Sequence, residues 1–476
     1  MDRRDFIKIT GIIAGSTVLG KQVFGKQLFP NKITGKQPNI LLIMTDQQAA
    51  TAMSWCYGQE YLNTPSMDEL ASEGIVFTNA YTANPLCVPC RTSMFTGMYP
   101  HQTNVQSNSD IKENVAGKFK NMGIIFKDAG YATGYVGKWH MAFPAKEAAI
   151  HGFDFMRSIK NTGIDEEIPA GAEEFLKIKR EKPFLLVTSF VNPHNICEWA
   201  RDEKLPDGEI GKPPSVDECP PIIENPVPMQ DEPDIVPIIK KSFQSSKLFP
   251  VGGFDENKWR EYRWAYFRMI EKVDALIGRI LTSLRESGEY DNTVIVFTSD
   301  HGDMQGAHGW NQKTVFFEES TRVPLIIKET GKNNQKLYSS LINTGVDILP
   351  TLCGYAGINL QRNYPGINLK NNTAGINQRE YVVVQNKMVQ GEPIDGYKPE
   401  PAGRMVRSKK YKYCIYDIGK NNESLVDLEK DPLETKNLAG QKEYNKILKQ
   451  HRKYLIDWCA KNDDQFTAIL GLADYH

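Results

Sequence analysis

The chain has 476 residues, of which 40% are hydrophobic and 24% charged, and its formal net charge is −1. This composition excludes a disordered polymer and suffices for one large domain with a smaller appendage, or for two ordinary domains. Near-neutrality leaves no basic stripe for a nucleic-acid partner, and the eight cysteines are too dispersed for a disulfide-stapled mini-scaffold.

Arg3-Arg4-Asp5-Phe6-Ile7-Lys8 precedes an apolar stretch, Ile9 to Leu19, diluted by Gly, Thr and Ser. Paired arginines before Phe, an aliphatic residue and Lys resemble the twin-arginine export signal of bacteria. The stretch is too short and polar to span a membrane, and no other apolar run has that length. The mature protein is therefore expected to lack a transmembrane span and to be exported to the periplasm, or alternatively outside the cell. Residues 1–37 read as signal peptide and linker, 38–377 as a catalytic domain and 378–476 as a small C-terminal subdomain.

After the linker, Ile40-Leu41-Leu42-Ile43-Met44 runs without alternation into Thr45-Asp46-Gln47. Short apolar runs of this kind suit strands buried on both faces of a parallel sheet. The pattern recurs. Thr133–Gly137 leads into Lys138-Trp139-His140, Phe184–Val191 into Asn192-Pro193-His194, and Thr293–Thr298 into Ser299-Asp300-His301. Four strands thus carry ionisable or metal-binding groups at their carboxyl ends, where open α/β sheets bind ligands. Trp259 to Ser287 has helical apolar spacing between two of them. Ten of the 27 prolines fall between Arg201 and Pro250, which predicts a long surface excursion and not a regular helix. From about Gln378 the runs Tyr381–Val384, Gly403–Arg407 and Tyr411–Tyr416 predict an antiparallel sheet, and Lys442–Lys461 a packing helix. The fold class is α/β: a large, mostly parallel mixed sheet flanked by helices, with a small α+β appendage. Lys409-Lys410-Tyr411-Lys412 reads as a solvated strand edge, and the cysteines other than Cys87 and Cys90 as small buried hydrophobes.

Pro89 suits a first helical turn, so Cys87 is expected at a helix N-terminus, where free N–H groups and the helix dipole favour an anion. Arg91 adds a planar cation beside it. Two chemistries compete on this pair. Cys87-Val88-Pro89-Cys90 has the Cys-x-x-Cys spacing of a thioredoxin-type redox site; a nucleophile beside an anion pocket is the other reading. Asp46 and Asp300 offer hard oxygens and Gln47 a neutral one, a donor set that suits Ca²⁺ or Mg²⁺, and His301 admits Mn²⁺.

The larger pattern decides between them. Cys87-x-Pro89-x-Arg91 with Thr96-Gly97 downstream resembles the signature of the type I sulfatases of the alkaline phosphatase superfamily. Asp46-Gln47, Gly137-Lys138-Trp139-His140, Asn192-Pro193-His194, Thr298-Ser299-Asp300-His301-Gly302 and Lys313 follow in that family's order. The resemblance covers residues 38 to about 330. It implies conversion of Cys87 to formylglycine (3-oxoalanine) by a maturation enzyme, with Asp46, Gln47, modified Cys87, Asp300 and His301 as metal ligands. It further implies that Arg91 and Lys138 steady the nucleophile, that Lys313 contacts sulfate, and that His140 is the base regenerating the aldehyde. His194 and Lys313 are the candidates for protonating the leaving oxygen, a role worth about 10²–10⁴-fold. His308 and Arg404 are candidate substrate contacts from outside this set, against the alternatives of a structural histidine satisfied by nearby backbone and a solvated arginine. Cys90 departs from the family, which usually has Ser there, and a disulfide with Cys87 would block maturation. The expected substrate is a sulfated carbohydrate, with choline and aryl sulfates as alternatives. A phosphonate monoester hydrolase or phosphodiesterase with the same nucleophile is the enzymatic runner-up. A two-zinc phosphatase would need a Ser or Thr nucleophile and more histidines. A catalytically silent glycan-binding module would not need the intact set.

Overall fold

The computed structural model describes residues 37–111, 114–160, 163–333, 335–372 and 379–470. The export-signal segment therefore lies outside the described residues, as does the expected boundary at 377/378. Among the described residues, twelve strands form two sheets. The large one contains β1 (Asn39–Asp46), β2 (Ile75–Tyr81), β3 (Ala132–Lys138), β4 (Phe155–Ile159), β5 (Phe184–Pro193), β6 (Thr293–Ser299), β7 (Leu325–Lys328) and β8 (Lys336–Asn343), in the order β4-β3-β5-β1-β6-β7-β2-β8. β7 is antiparallel to both its neighbours, and the other pairs are parallel.

The apolar run of β1 is fully buried because helices cover both faces of the sheet. Leu41 and Ile43 point to one side, against Met67, Phe175 and the long helix Glu256–Glu286. Ile40, Leu42 and Met44 point to the other, against Val88 and Phe95 of helix Cys87–Thr96 and Leu349 of helix Thr344–Ala356. Each such aliphatic side chain contributes about 1.5–3 kcal/mol on burial. The two-sided core fixes the strand ends, and the strands bearing the chemistry, β3-β5-β1-β6, are consecutive and parallel. Their carboxyl ends therefore lie side by side.

The second sheet, β12-β11-β10-β9, is antiparallel and comprises β9 (Tyr381–Lys387), β10 (Ala402–Ser408), β11 (Tyr411–Tyr416) and β12 (Glu423–Asp427). Val383, Val406 and Tyr413 face Leu455 and Trp458 of the C-terminal helix Asn445–Asn462. The opposite face, with Val384 and Met405, packs on Phe243, Trp310 and Phe316.

Two expectations change. Lys412 is not on a solvated edge: it is 2% exposed and ion-paired with Glu318 at 3.3 Å and with Glu434. It faces inward because alternation along β11 turns it towards the large domain while Lys410 stays at the hairpin rim. The proline-rich stretch also contains a helix, Ile235–Gln244, whose Ile235, Val236, Ile239 and Phe243 are buried. Pro237 sits in its first turn, where the missing N–H costs nothing.

Candidate active site

Cys87 is the first residue of a ten-residue helix buried throughout its length. Its N-cap, Leu86, is extended and offers no side-chain cap, so the positive end of the helix dipole is directed at Cys87. Gly97 closes the helix in a left-handed conformation (φ 67).

Strand β1 delivers Asp46 and Gln47 beneath Cys87. Gln47 is left-handed (φ 71) and held so by Tyr266, whose hydroxyl donates to the Gln47 carbonyl at 2.7 Å and accepts from Ala49 N at 2.9 Å. At the end of β6, Asp300 accepts from the backbone N–H groups of Gln47 (3.2 Å) and His301 (2.9 Å). β3 supplies Lys138 through Gly137 (φ 115), where a side chain would stand 2.0 Å from the Ser189 carbonyl of β5. The end of β5 is secured by Asp165, which accepts from Val191 N at 2.7 Å and Asn192 N at 2.8 Å and so fixes the approach to His194.

Arg91 organises the carboxylates. Its Nε donates to Asp300 Oδ2 at 2.7 Å and an Nη to Asp46 Oδ2 at 2.9 Å, while the other Nη reaches Ser189 Oγ at 2.8 Å. Lys138 Nζ lies 2.8 Å from Asp46 Oδ2. With each Oδ2 held by these cations, both Oδ1 atoms face the cluster, that of Asp300 while also accepting the Gln47 and His301 N–H groups. Asp46 Oδ1 is 3.9 Å from Cys87 Sγ and 3.8 Å from His301 Nε2, and Asp300 Oδ1 is 3.6 Å from His301 Nε2. One donor atom from each of Asp46, Cys87, Asp300 and His301 lies within 4.8 Å of the others. His301 Nδ1 lies 3.1 Å from the Gly302 carbonyl, which favours a proton on that nitrogen and a free lone pair on Nε2. Two inward carboxylate oxygens with an imidazole and residue 87 fit a divalent cation.

Lys313 completes the cluster: its Nζ donates to Gln47 Oε1 at 2.7 Å and lies 3.4 Å from Cys87 Sγ. Burial and Asp46 push the Cys87 thiol up, but Lys313, Lys138 and His301 bring it well below its ordinary value. Lys313 is driven down by burial yet held above its ordinary value by Cys87 and Asp46. Burial lowers His140, and burial with Lys313 and Lys138 lowers His194 to about 3, so both imidazoles are neutral near pH 7. Among the described residues the Nδ1 atom of each imidazole has no hydrogen-bond partner.

Cys90 faces away. Its Sγ is 3.0 Å from Thr82 Oγ1, and all eight cysteines are buried free thiols. The geometry thus assembles a nucleophile position, cations and a metal-ligand set, and it contains no dithiol facing one cleft.

Ten of the twelve residues expected from the sequence meet around Cys87, namely Asp46, Gln47, Cys87, Arg91, Lys138, His140, His194, Asp300, His301 and Lys313. His308 and Arg404 do not. The His308 ring accepts from Asn225 Nδ2 at 3.1 Å, lies 3.2 Å from the Val227 carbonyl through Nδ1, and stacks on Phe317 at 3.8 Å. Both nitrogens are occupied within the protein, which makes it a packing histidine. Arg404 donates to Asp464 through Nε (2.7 Å) and Nη2 (3.0 Å) and to the Gly403 carbonyl through Nη1, with its guanidinium over Phe466. It is consumed in fastening the C-terminal helix. Ser189, Asp165, Asp303 and Tyr262 were not found by sequence reasoning. Asp303 carried a signal, two residues after His301; Ser189 sits in an apolar run and carried none.

The Sulfatase family model matches residues 38–358, and a model described as N-sulphoglucosamine sulphohydrolase, C-terminal, matches 306–461. The Delta 4,5-hexuronate-2-O-sulfatase of Bacteroides thetaiotaomicron is 31% identical, over 92% of this chain and 92% of its own. A solved structure of a 2-O GAG sulfatase superposes with a TM-score of 0.78 at 28% identity, covering 91% of this chain and 94% of that one. The phosphonate monoester hydrolase of Agrobacterium radiobacter shares the fold, with a TM-score of 0.71 at 20% identity over 91% of this chain and 97% of that one.

Proposed function

Because the chain belongs to the sulfatase family and is a sulfuric ester hydrolase, we propose that it desulfates carbohydrates, with Cys87 matured to formylglycine as the nucleophile. The observation that carries this reading is the position of Cys87 Sγ, 3.2 Å from His301 Nε2 and 3.4 Å from Lys313 Nζ, at the positive end of a helix. The resemblance of the whole chain to a hexuronate 2-O-sulfatase supports a sulfated sugar as substrate.

As a hydrated aldehyde, residue 87 would supply one hydroxyl to attack sulfur and a second whose deprotonation releases sulfate. Asp46, Gln47, Asp300 and His301 would hold Ca²⁺, with Mg²⁺ or Mn²⁺ as alternatives, and that ion would neutralise developing negative charge. Arg91 and Lys138 fix the carboxylates so that their inward oxygens keep their positions during the reaction. Lys313 binds a sulfate oxygen and, with His194, is placed to give a proton to the leaving oxygen; the charged Lys313 is the better donor. Neutral His140 accepts the proton from the second hydroxyl. Sulfate esters are inert, so this arrangement acts through positioning and charge neutralisation. We assign the chemistry to residues 38–377, assign 378–476 to a supporting subdomain, and read Arg3-Arg4 as directing export to the periplasm. Among the described residues no helix is long and apolar enough to cross a membrane.

A phosphodiester presents the same single negative charge, so it is the control substrate. The test is sulfate release from 2-O-sulfated unsaturated uronate disaccharides, sulfated glucosamines, an aryl sulfate and choline sulfate, beside kcat/KM on a phosphodiester. A sulfated sugar as the best substrate supports the reading; a phosphodiester as the best overturns it.

A further inference from the structure

Gln47 is the one carboxamide among the expected metal ligands, and it must face one particular way. A carboxamide has a donor end and an acceptor end, and only the oxygen can ligate a cation. In the structure Nε2 donates to Asp303 Oδ2 at 2.8 Å, and Oε1 accepts from Lys313 Nζ at 2.7 Å, on the side of the cluster. Gln47 and Asp303 are 0% exposed, so water cannot substitute for either partner.

We propose that Asp303 is the positioning residue that sets this orientation, and that the Gln47–Asp303 pair acts as a polarity lock on the cation site. Asp303 lies outside the cluster of potential ligands. As a carboxylate it only accepts, so it must receive the Gln47 NH₂ and thereby turns the amide oxygen to the cluster. Its own orientation is set from behind. Gln305 N donates to Oδ1 at 2.8 Å, and the Tyr262 hydroxyl lies 3.2 Å from Oδ1 and 3.0 Å from Oδ2. The inference rests on the reading of Gln47 as a cation ligand.

The lock makes an asymmetric prediction. In Asp303→Asn, the Gln305 N–H keeps an oxygen at the Oδ1 position, so the new NH₂ replaces Oδ2 and meets the Gln47 NH₂. Two donors cannot pair, and turning Gln47 over would set its NH₂ against the Lys313 ammonium, so the amide is satisfied in neither orientation and its oxygen is no longer held on the cluster. In Gln47→Glu, two carboxylates oppose each other in a dry interior. In the double variant Q47E/D303N, the new amide donates to the new carboxylate, whose other oxygen again faces Lys313 and the cluster. The total charge equals that of the wild type.

The experiment is calorimetric titration of the full chain and these three variants with Ca²⁺ alone, with circular dichroism melts in chelator to confirm folding. Loss of an outer partner typically weakens metal binding 10–100-fold. We expect about that loss in D303N, a loss in Q47E, and recovery of most of it in Q47E/D303N. If D303N does not fold, the comparison of Q47E with the double variant decides the matter. Wild-type affinity in D303N, or a double variant no better than Q47E alone, overturns the lock and leaves the sulfatase reading intact. A wild-type chain that binds neither Ca²⁺, Mg²⁺ nor Mn²⁺ overturns the cation reading and the lock with it.

Discussion

Lys313 Nζ stands 3.4 Å from Cys87 Sγ while donating to Gln47 Oε1 at 2.7 Å, so one buried ammonium bridges the nucleophile position and a cation ligand. A charge fixed there before substrate arrives requires no reorganisation during the reaction. Lys313→Met should lower kcat by about 10²–10³-fold, the range seen when one preorganised donor is removed. Steady-state kinetics check this, and an unchanged kcat would remove Lys313 from the mechanism.

Arg91 is sandwiched between Asp46 and Asp300 with no exposed side-chain surface on any of the three. Removing it leaves two buried carboxylates without their shared cation. Arg91→Met should destabilise the fold by about 3–5 kcal/mol, as expected when one partner of a buried ionic set is deleted. Urea denaturation of the metal-free protein measures it, and a loss below about 1 kcal/mol contradicts the structural role.

His308 gives the pH prediction. Burial, with Lys412 as the next cause, lowers it to about 3, against an ordinary value of 6.5. Between those values the unfolded chain binds a proton that the native ring does not, so stability falls as pH drops from about 6.5 towards 3. A histidine whose Nε2 already accepts from Asn225 cannot take that proton without losing the bond. His308→Gln should show a shallower fall in Tm over this window than the wild type. Parallel Tm-against-pH curves for the two proteins would show that His308 does not titrate on unfolding.

Cys90 is three residues from Cys87 but hydrogen-bonded to Thr82, and burial pushes its thiol up. It should therefore stay reduced. Peptide mass spectrometry of protein from an oxidising host should find Cys90 as a free thiol and residue 87 as formylglycine. A Cys87–Cys90 disulfide as the main species would show instead that the departure from Ser at this position blocks maturation.

The strands that carry chemistry were legible because burial on both faces makes Ile40–Met44, Phe184–Val191 and Thr293–Thr298 nearly uniform apolar runs. The edge strands β4 and β8 and the short internal strand β7 were not. β4 is partly exposed along its length, β8 is exposed over its first half, and β7 has only four residues. Periodicity is faint where burial is partial. The site was legible as residue types at strand ends, but the partners of long polar side chains were not. Arg404 and His308 have the right chemistry for substrate, yet Asp464 and Asn225, 60 and 83 positions away in sequence, take them. Lys412 was misjudged for the same reason, since its partners Glu318 and Glu434 come from distant segments.

In the proposed mechanism Cys87 is the precursor of the nucleophile of a sulfated-carbohydrate sulfatase. Its most direct test is the rate of sulfate release from the best sulfated sugar by matured wild type and by Cys87→Ala, purified from the same host. Turnover is expected from the wild type and only background release from the variant, with both proteins melting as folded chains. Equal sulfate release by the two proteins would contradict it.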